Sequence, residues 1–164
     1  MPTDLVPLVK ALSANDPSQR QSAAEKLAQL GEEARPAAVS LVEACGIDDE
    51  AREWVVAALE GLGPPPPTDV ARLSALLRQP ALDVAYWAAT LLGRLGPEAK
   101  AAVASLAETL DSHAEQSVRQ RAAWALAQIG PAAAGARGAL EKAAAGSDGR
   151  LASLAKDALT RVQG

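Results

Sequence analysis

Phenylalanine is absent from this chain, and tyrosine, methionine, histidine and cysteine each occur once. The apolar content, 49% of all residues, therefore rests largely on alanine, leucine and valine, which suit closely packed helices better than a sheet core. One cysteine, Cys45, excludes an internal disulfide. One histidine, His113, leaves no Cys-His or Ser-His-Asp set to complete. With Asp111 and Glu115 beside it, His113 reads as a solvated turn residue, because a single imidazole among loop carboxylates holds a metal only weakly. No glycine-rich stretch has the spacing of a phosphate cradle, so no cofactor is expected. Long apolar runs are also missing, and Met1-Pro2-Thr3-Asp4 lacks the basic flank of a signal peptide. The expectation is a cytoplasmic protein with no membrane partner. A formal net charge of −4 argues against a general polyanion binder, whose affinity would come from lysine and arginine on phosphates.

What the chain does have is a repeat. Segments ending in Gly31, Gly63, Gly96 and Gly130 align, and a degenerate fifth copy follows from Leu151, giving a period of about 33 residues. The first part of each unit carries apolar residues at helical spacing: Leu5, Leu8 and Leu12, then Ala38, Leu41 and Cys45, then Val70, Leu73 and Leu77, then Val103, Leu106 and Leu110. The second part repeats the stripe Ala23, Leu27, Leu30 as Val55, Leu59, Leu62, as Ala88, Leu92, Leu95 and as Ala122, Leu126, Ile129. Each unit is thus a hairpin of helix A and helix B. The four glycines end helix B, and Pro64, Pro97 and Pro131 follow three of them to start the next helix. The run Pro64 to Pro67 reads as a rigid joint inside the array. The fold expected is all-α, a right-handed α-solenoid of five helical hairpins in a single domain over 1–164, with units at about 1–31, 32–63, 64–96, 97–130 and 131–164.

Asp16-Pro17-Ser18-Gln19-Arg20, followed by Ala23-Ala24 and Leu27 to Gly31, recurs as Ser117-Val118-Arg119 followed by Ala122-Ala123 and Leu126 to Gly130. This pattern resembles the HEAT repeat family, in particular the short bacterial HEAT-like repeats first described in phycobilisome lyases, and the resemblance covers essentially the whole chain. It implies an acid near the turn paired with an arginine opening helix B. Arg20, Arg52 and Arg119 have Asp16, Asp48 and Glu115 four residues earlier, while Ala81 and Ala85 replace both members in the third unit. Joint loss is what a structural ion pair predicts.

Departures from the template locate capping and function. Gln19 and Lys26, and at the other end Arg137, Glu141 and Lys156, replace residues that are apolar in other units, which predicts polar outer faces on the terminal hairpins of a self-capped array. On the B helices the row away from the core holds Glu25, Glu53, Tyr86 and Trp124, and a flanking row holds Trp54, Trp87 and Arg121, where the two tryptophans fit equally as spacers between adjacent B helices or as partner contacts. Thr90, Gly93 and Ala127 are expected to leave room between them for a partner.

The resemblance places B helices on a concave surface, so these residues would line a groove. The expected function is a non-enzymatic scaffold or adaptor binding a protein or peptide there, through Trp54, Tyr86, Trp87, Arg94, Arg121, Trp124 and Gln128, with Glu25 and Glu53 at the acidic end. A monomer is expected, with self-association through the aromatic patch as the other state. Nucleic acid is disfavoured. HEAT-like alkylbase DNA glycosylases use groove tryptophans and a carboxylate, parts for which Trp87, Trp124, Arg121 and Asp157 would stand, and a chaperone of a cofactor protein, like the lyase subunits, is a further alternative.

Overall fold

A computed structural model describes residues 4–47 and 50–163. Its regular structure is helical throughout, in ten α-helices that alternate short and long. The A helices are α1 (Leu5–Ala11), α3 (Ala38–Ala44), α5 (Val70–Leu76), α7 (Val103–Ser112) and α9 (Arg137–Ala144). The B helices are α2 (Pro17–Leu30), α4 (Arg52–Gly61), α6 (Leu82–Leu95), α8 (Gln116–Ile129) and α10 (Gly149–Val162). The fold is an α-solenoid, and within each unit the hairpins bury their apolar stripes against one another. The chain divides into two compact units, Met1–Pro66 and Pro67–Gly164, so the boundary falls inside the proline run.

In the first unit α2 packs on α4, with α1 against α2 and α3 against α4. The second unit has two layers, a row α6, α8, α10 and a row α5, α7, α9. The core is the repeated stripe. Leu27, Leu41, Leu59, Leu73, Leu92, Leu106 and Leu126 are completely buried. Only Leu8 and Leu30, in the first hairpin, are half-buried. Gln19, Lys26, Arg137, Glu141 and Lys156 are exposed, as polar terminal faces require. Cys45 is buried with the leucines that share its position.

The corners are sharper than the sequence pattern alone indicates. Gly31, Gly96 and Gly130 combine φ of 53°, 58° and 68° with ψ of −124°, −135° and −139°, a backbone that glycine alone adopts without strain. The Gly-Pro pair was expected to begin the next α-helix. Instead 3₁₀ segments run over Gly31–Ala37, Gly96–Ala102 and Gly130–Ala136 before helix A. Their three-residue turn places Ala34 and Ala37, Ala99 and Ala102, and Ala133 and Ala136 on one buried face, which an α-helical turn would spread apart. At the end of α4, Arg35 Nε donates to the carbonyl of Leu62 at 3.3 Å and so caps an orphan acceptor.

The acid and arginine pair of the fourth unit needs correction. Glu115 is an N-cap residue with extended backbone, so the four-residue spacing does not set it on a helix face beside Arg119. Asp16 accepts the N–H of Ser18 at 2.9 Å, and Arg20 Nη1 donates to the carbonyl of Ala14 at 2.5 Å. Arg119 makes no pair with Glu115; its Nε is buried without a hydrogen-bond partner. Asp48, the acid expected for Arg52, lies outside the described residues.

Asp148 is the most heavily used cap. Its Oδ1 accepts the N–H groups of Leu151 and Arg150 at 3.0 and 3.1 Å, and Oδ2 takes Gln116 Nε2 at 2.6 Å and Gln120 Nε2 at 3.3 Å. The carboxylate therefore joins the start of α10 to α8. These bonds, the Leu151 N–H foremost, hold its pKa below the usual carboxylate value.

Candidate interaction surface on α6 and α8

Helix α6 is buried on almost every side. Val84, Ala85, Trp87, Ala88, Ala89, Thr90, Leu91, Leu92, Gly93 and Leu95 are all covered, which leaves Leu82 exposed and Asp83, Tyr86 and Arg94 partly exposed. On α8 the buried set is Val118, Ala122, Ala123, Ala125, Leu126, Ala127 and Ile129, and Arg121, Trp124 and Gln128 are half-buried. The two helices pack side by side. Beyond their N-terminal ends, where Leu82, Asp83, Gln116, Ser117, Arg119 and Gln120 also reach solvent, the residues left between core and solvent are a tyrosine and an arginine from one helix and an arginine, a tryptophan and a glutamine from the other.

These side chains form one connected array. Tyr86 meets Trp87 edge to face, with ring centroids 6.0 Å apart and planes at 87°. The guanidinium carbon of Arg94 lies 5.7 Å from the Trp87 ring centroid. That of Arg121 lies 4.5 Å from the Tyr86 centroid and 5.0 Å from the Trp124 centroid, and its Nη2 donates to the Tyr86 hydroxyl. Each cation over a ring at such distances contributes about 0.5–2 kcal/mol, the larger value where water is excluded. Arg121 is thereby held in place by two rings and a hydroxyl, and no carboxylate pairs with it among the described residues.

Gly93 makes this arrangement fit. A Cβ at that position would stand 2.3 Å from Trp124 Cζ3, 2.9 Å from Cε3 and 3.1 Å from the backbone Cα of Ala125. The indole thus lies directly on the backbone of α6. The space that Thr90, Gly93 and Ala127 were expected to leave for a partner is absent, because Trp124 fills it and the three residues are buried. The Thr90 hydroxyl donates to the Tyr86 carbonyl at 2.8 Å instead. Trp87, for which packing and partner contact were both open, is covered: with 8% of its surface accessible, it packs against Tyr86 and Arg94. The sequence signal for the seat of Trp124 was Gly93, a glycine at a mid-helix position, where glycine is otherwise unfavourable.

The remaining candidates lie elsewhere. Gln128 sits one turn beyond Trp124 on α8. Trp54 and Glu53, on α4, and Glu25, on α2, belong to the first unit. Trp54 is 37% exposed, Glu53 is exposed, and Glu25 accepts Gln29 Nε2 at 3.4 Å. Arg161, on α10, is paired with Asp157 at 3.1 Å.

The second unit also has a cavity of about 420 Å³ between its A-to-B turns, lined by Leu77, Pro80, Thr109 and His113 and crossed by an Arg78 to Glu108 ion pair of 2.9 Å. His113 Nδ1 accepts the N–H of Glu115 at 3.1 Å, so the imidazole serves its own turn. Among the described residues no group of three or more His, Cys, Asp or Glu is placed to hold a metal, and no helix is long and apolar enough to cross a membrane.

No family model and no curated protein matches the chain. Two crystal structures of engineered proteins are similar to it. One aligns at 23% identity with a TM-score of 0.65, covering 98% of this chain and 79% of its own. The other aligns at 24% identity with a TM-score of 0.64, covering 99% of this chain and 48% of its own, so this chain spans about half of its length. The likeness is one of fold.

Proposed function

We propose that the chain is a non-enzymatic interaction module of HEAT-like repeats, and that it binds a protein or peptide over α6 and α8. The observation that carries this reading is the half-buried array of Tyr86, Arg121 and Trp124 on a rigid, well-packed pair of helices. Tyrosine, tryptophan and arginine dominate interface hot spots because they offer large contact area and directed hydrogen bonds for few free rotors. Here those rotors are restrained before any partner arrives, which lowers the ordering cost of association. The HEAT-like assignment is supported by the repeated helix-B signature and by the glycine corners in register.

A glycosylase-type reading gains no support from the site. Trp124 lies on Gly93 and beneath Arg121, and Asp157 is occupied by Arg161.

Selection of a random-peptide display library on the purified chain tests the reading. Enriched peptides should bind the wild type and an Arg78→Ala control alike, and lose binding to a folded Tyr86→Ala, Arg121→Ala variant. Failure to enrich any peptide, or equal binding to that variant, would count against it.

A further inference from the structure

Arginines in the second unit differ in what they already hold. Arg161 is paired with Asp157, Arg137 with Glu141 and Arg78 with Glu108. Arg119 is half-buried, its Nε covered and without a hydrogen-bond partner. Arg94 lies over the Trp87 ring. Arg121 alone among these combines partial exposure, two aromatic partners and no carboxylate among the described residues. One Nη2 hydrogen bond to Tyr86 leaves most of the five guanidinium donors unused.

From this we infer that the group recognised at Arg121 is the side-chain carboxylate of an acidic residue in an extended peptide, with an apolar neighbour resting on the exposed parts of Trp124 and Tyr86. The inference rests on the peptide-binding reading above and specifies its ligand. A guanidinium fixed in plane by flanking rings presents parallel N–H groups, which match a carboxylate in bidentate fashion. Arg121, held between two rings, offers one guanidinium face and so suits a singly charged planar acceptor, whereas a phosphate run would need several cations side by side. The apolar neighbour follows from the rings, since a carboxylate alone would leave the half-exposed indole in water.

The test uses fluorescein-labelled, C-terminally amidated dodecapeptide pools of identical leucine and alanine content, whose variable polar positions are Glu, Gln or Lys. Anisotropy titration should show the Glu pool binding at least about tenfold more tightly than the Gln pool, and the preference should vanish in Arg121→Gln and weaken in Arg121→Lys. Tyr86→Phe, which keeps the ring and frees the Nη2 donor, should retain it. Circular dichroism of each variant checks folding, and the Arg121→Lys and Tyr86→Phe pair keeps the test decisive if Arg121→Gln fails to fold. Equal binding of the Glu and Gln pools would overturn the carboxylate assignment while leaving the peptide-binding reading standing. Preference for the Lys pool, for a single-stranded oligonucleotide, or for a Gln pool with a free C-terminus would overturn it in favour of that ligand. Sedimentation showing a dimer that Arg121→Gln dissolves would assign the surface to a second copy of the chain. No binding by any pool, with peptides still enriched from the random library, would sink the inference alone; failure of both would sink the reading beneath it.

Discussion

Gly93→Ala is the sharpest perturbation of the α6 and α8 surface. The added methyl would lie 2.3 Å from Trp124 Cζ3 and 3.1 Å from the Ala125 Cα, against an optimum of about 3.5–4.0 Å for carbon pairs. The indole is able to rotate away, but the backbone of α8 is not. Overpacking of this kind costs about 1–3 kcal/mol. Alanine returns up to about 1 kcal/mol through its higher helix propensity. The expected net loss is about 1–2 kcal/mol, or roughly 2–8 °C in Tm for a chain of this size. Trp124 should also leave its seat beneath Arg121. ¹⁹F NMR of fluorotryptophan-labelled protein, which carries three tryptophans, should therefore show one resonance displaced and two nearly unmoved. In a cycle with Trp124→Ala, the double variant should lose about 1 kcal/mol less than the sum of the single variants, because removing the ring removes its part of the clash. A Gly93→Ala protein that melts higher than wild type, with all three resonances in place, would refute the close approach.

Other perturbations separate packing from binding. Gly96→Ala and Gly130→Ala force an L-residue to positive φ and should each cost at least about 1–2 kcal/mol by urea titration, whereas Gly138→Ala, in α9 with open space around it, should stabilise by up to about 1 kcal/mol. Leu126→Ala, completely buried, should cost about 2–5 kcal/mol. Arg119→Met should leave stability within about 0.5 kcal/mol of wild type or raise it, since it removes a buried donor that has no partner; a large loss would show that Arg119 is paired in solution. Acid should loosen the start of α10 first. The Asp148 pKa is depressed in the folded state, so its contribution is complete above the unfolded carboxylate value and is lost as pH falls through the lower folded value. Amide exchange at Arg150 and Leu151 should accelerate over that acidic window, and an unchanged rate would contradict the assigned cause.

Much of the fold was legible because a repeat multiplies weak signals. One Leu27 or one Gly31 says little, but the same residue types at four equivalent positions define helix, corner and core together. What escaped was set by pairs of helices and not by the period within one. Gly93 reads as empty space on a single helix; only the neighbouring α8 shows that Trp124 occupies it. Trp87 occupies a flank position, and its burial depends on what packs beside α6. The expected Glu115 and Arg119 pair failed for a local reason, since the acid stands at an extended N-cap where helical spacing does not apply. Of the site, Tyr86, Arg94, Arg121 and Trp124 are found together in the second unit, and their mutual stacking was not readable from spacing alone.

The central claim is that the partner surface lies on α6 and α8. It is tested most directly by ¹H–¹⁵N shift mapping during titration of the uniformly labelled chain with a peptide selected for binding. The largest changes should fall on the Arg121 side chain, the Trp124 indole N–H and the amides near Tyr86, with the turns around Arg78 and His113 nearly still. Changes centred on those turns, or on the first unit, would contradict it.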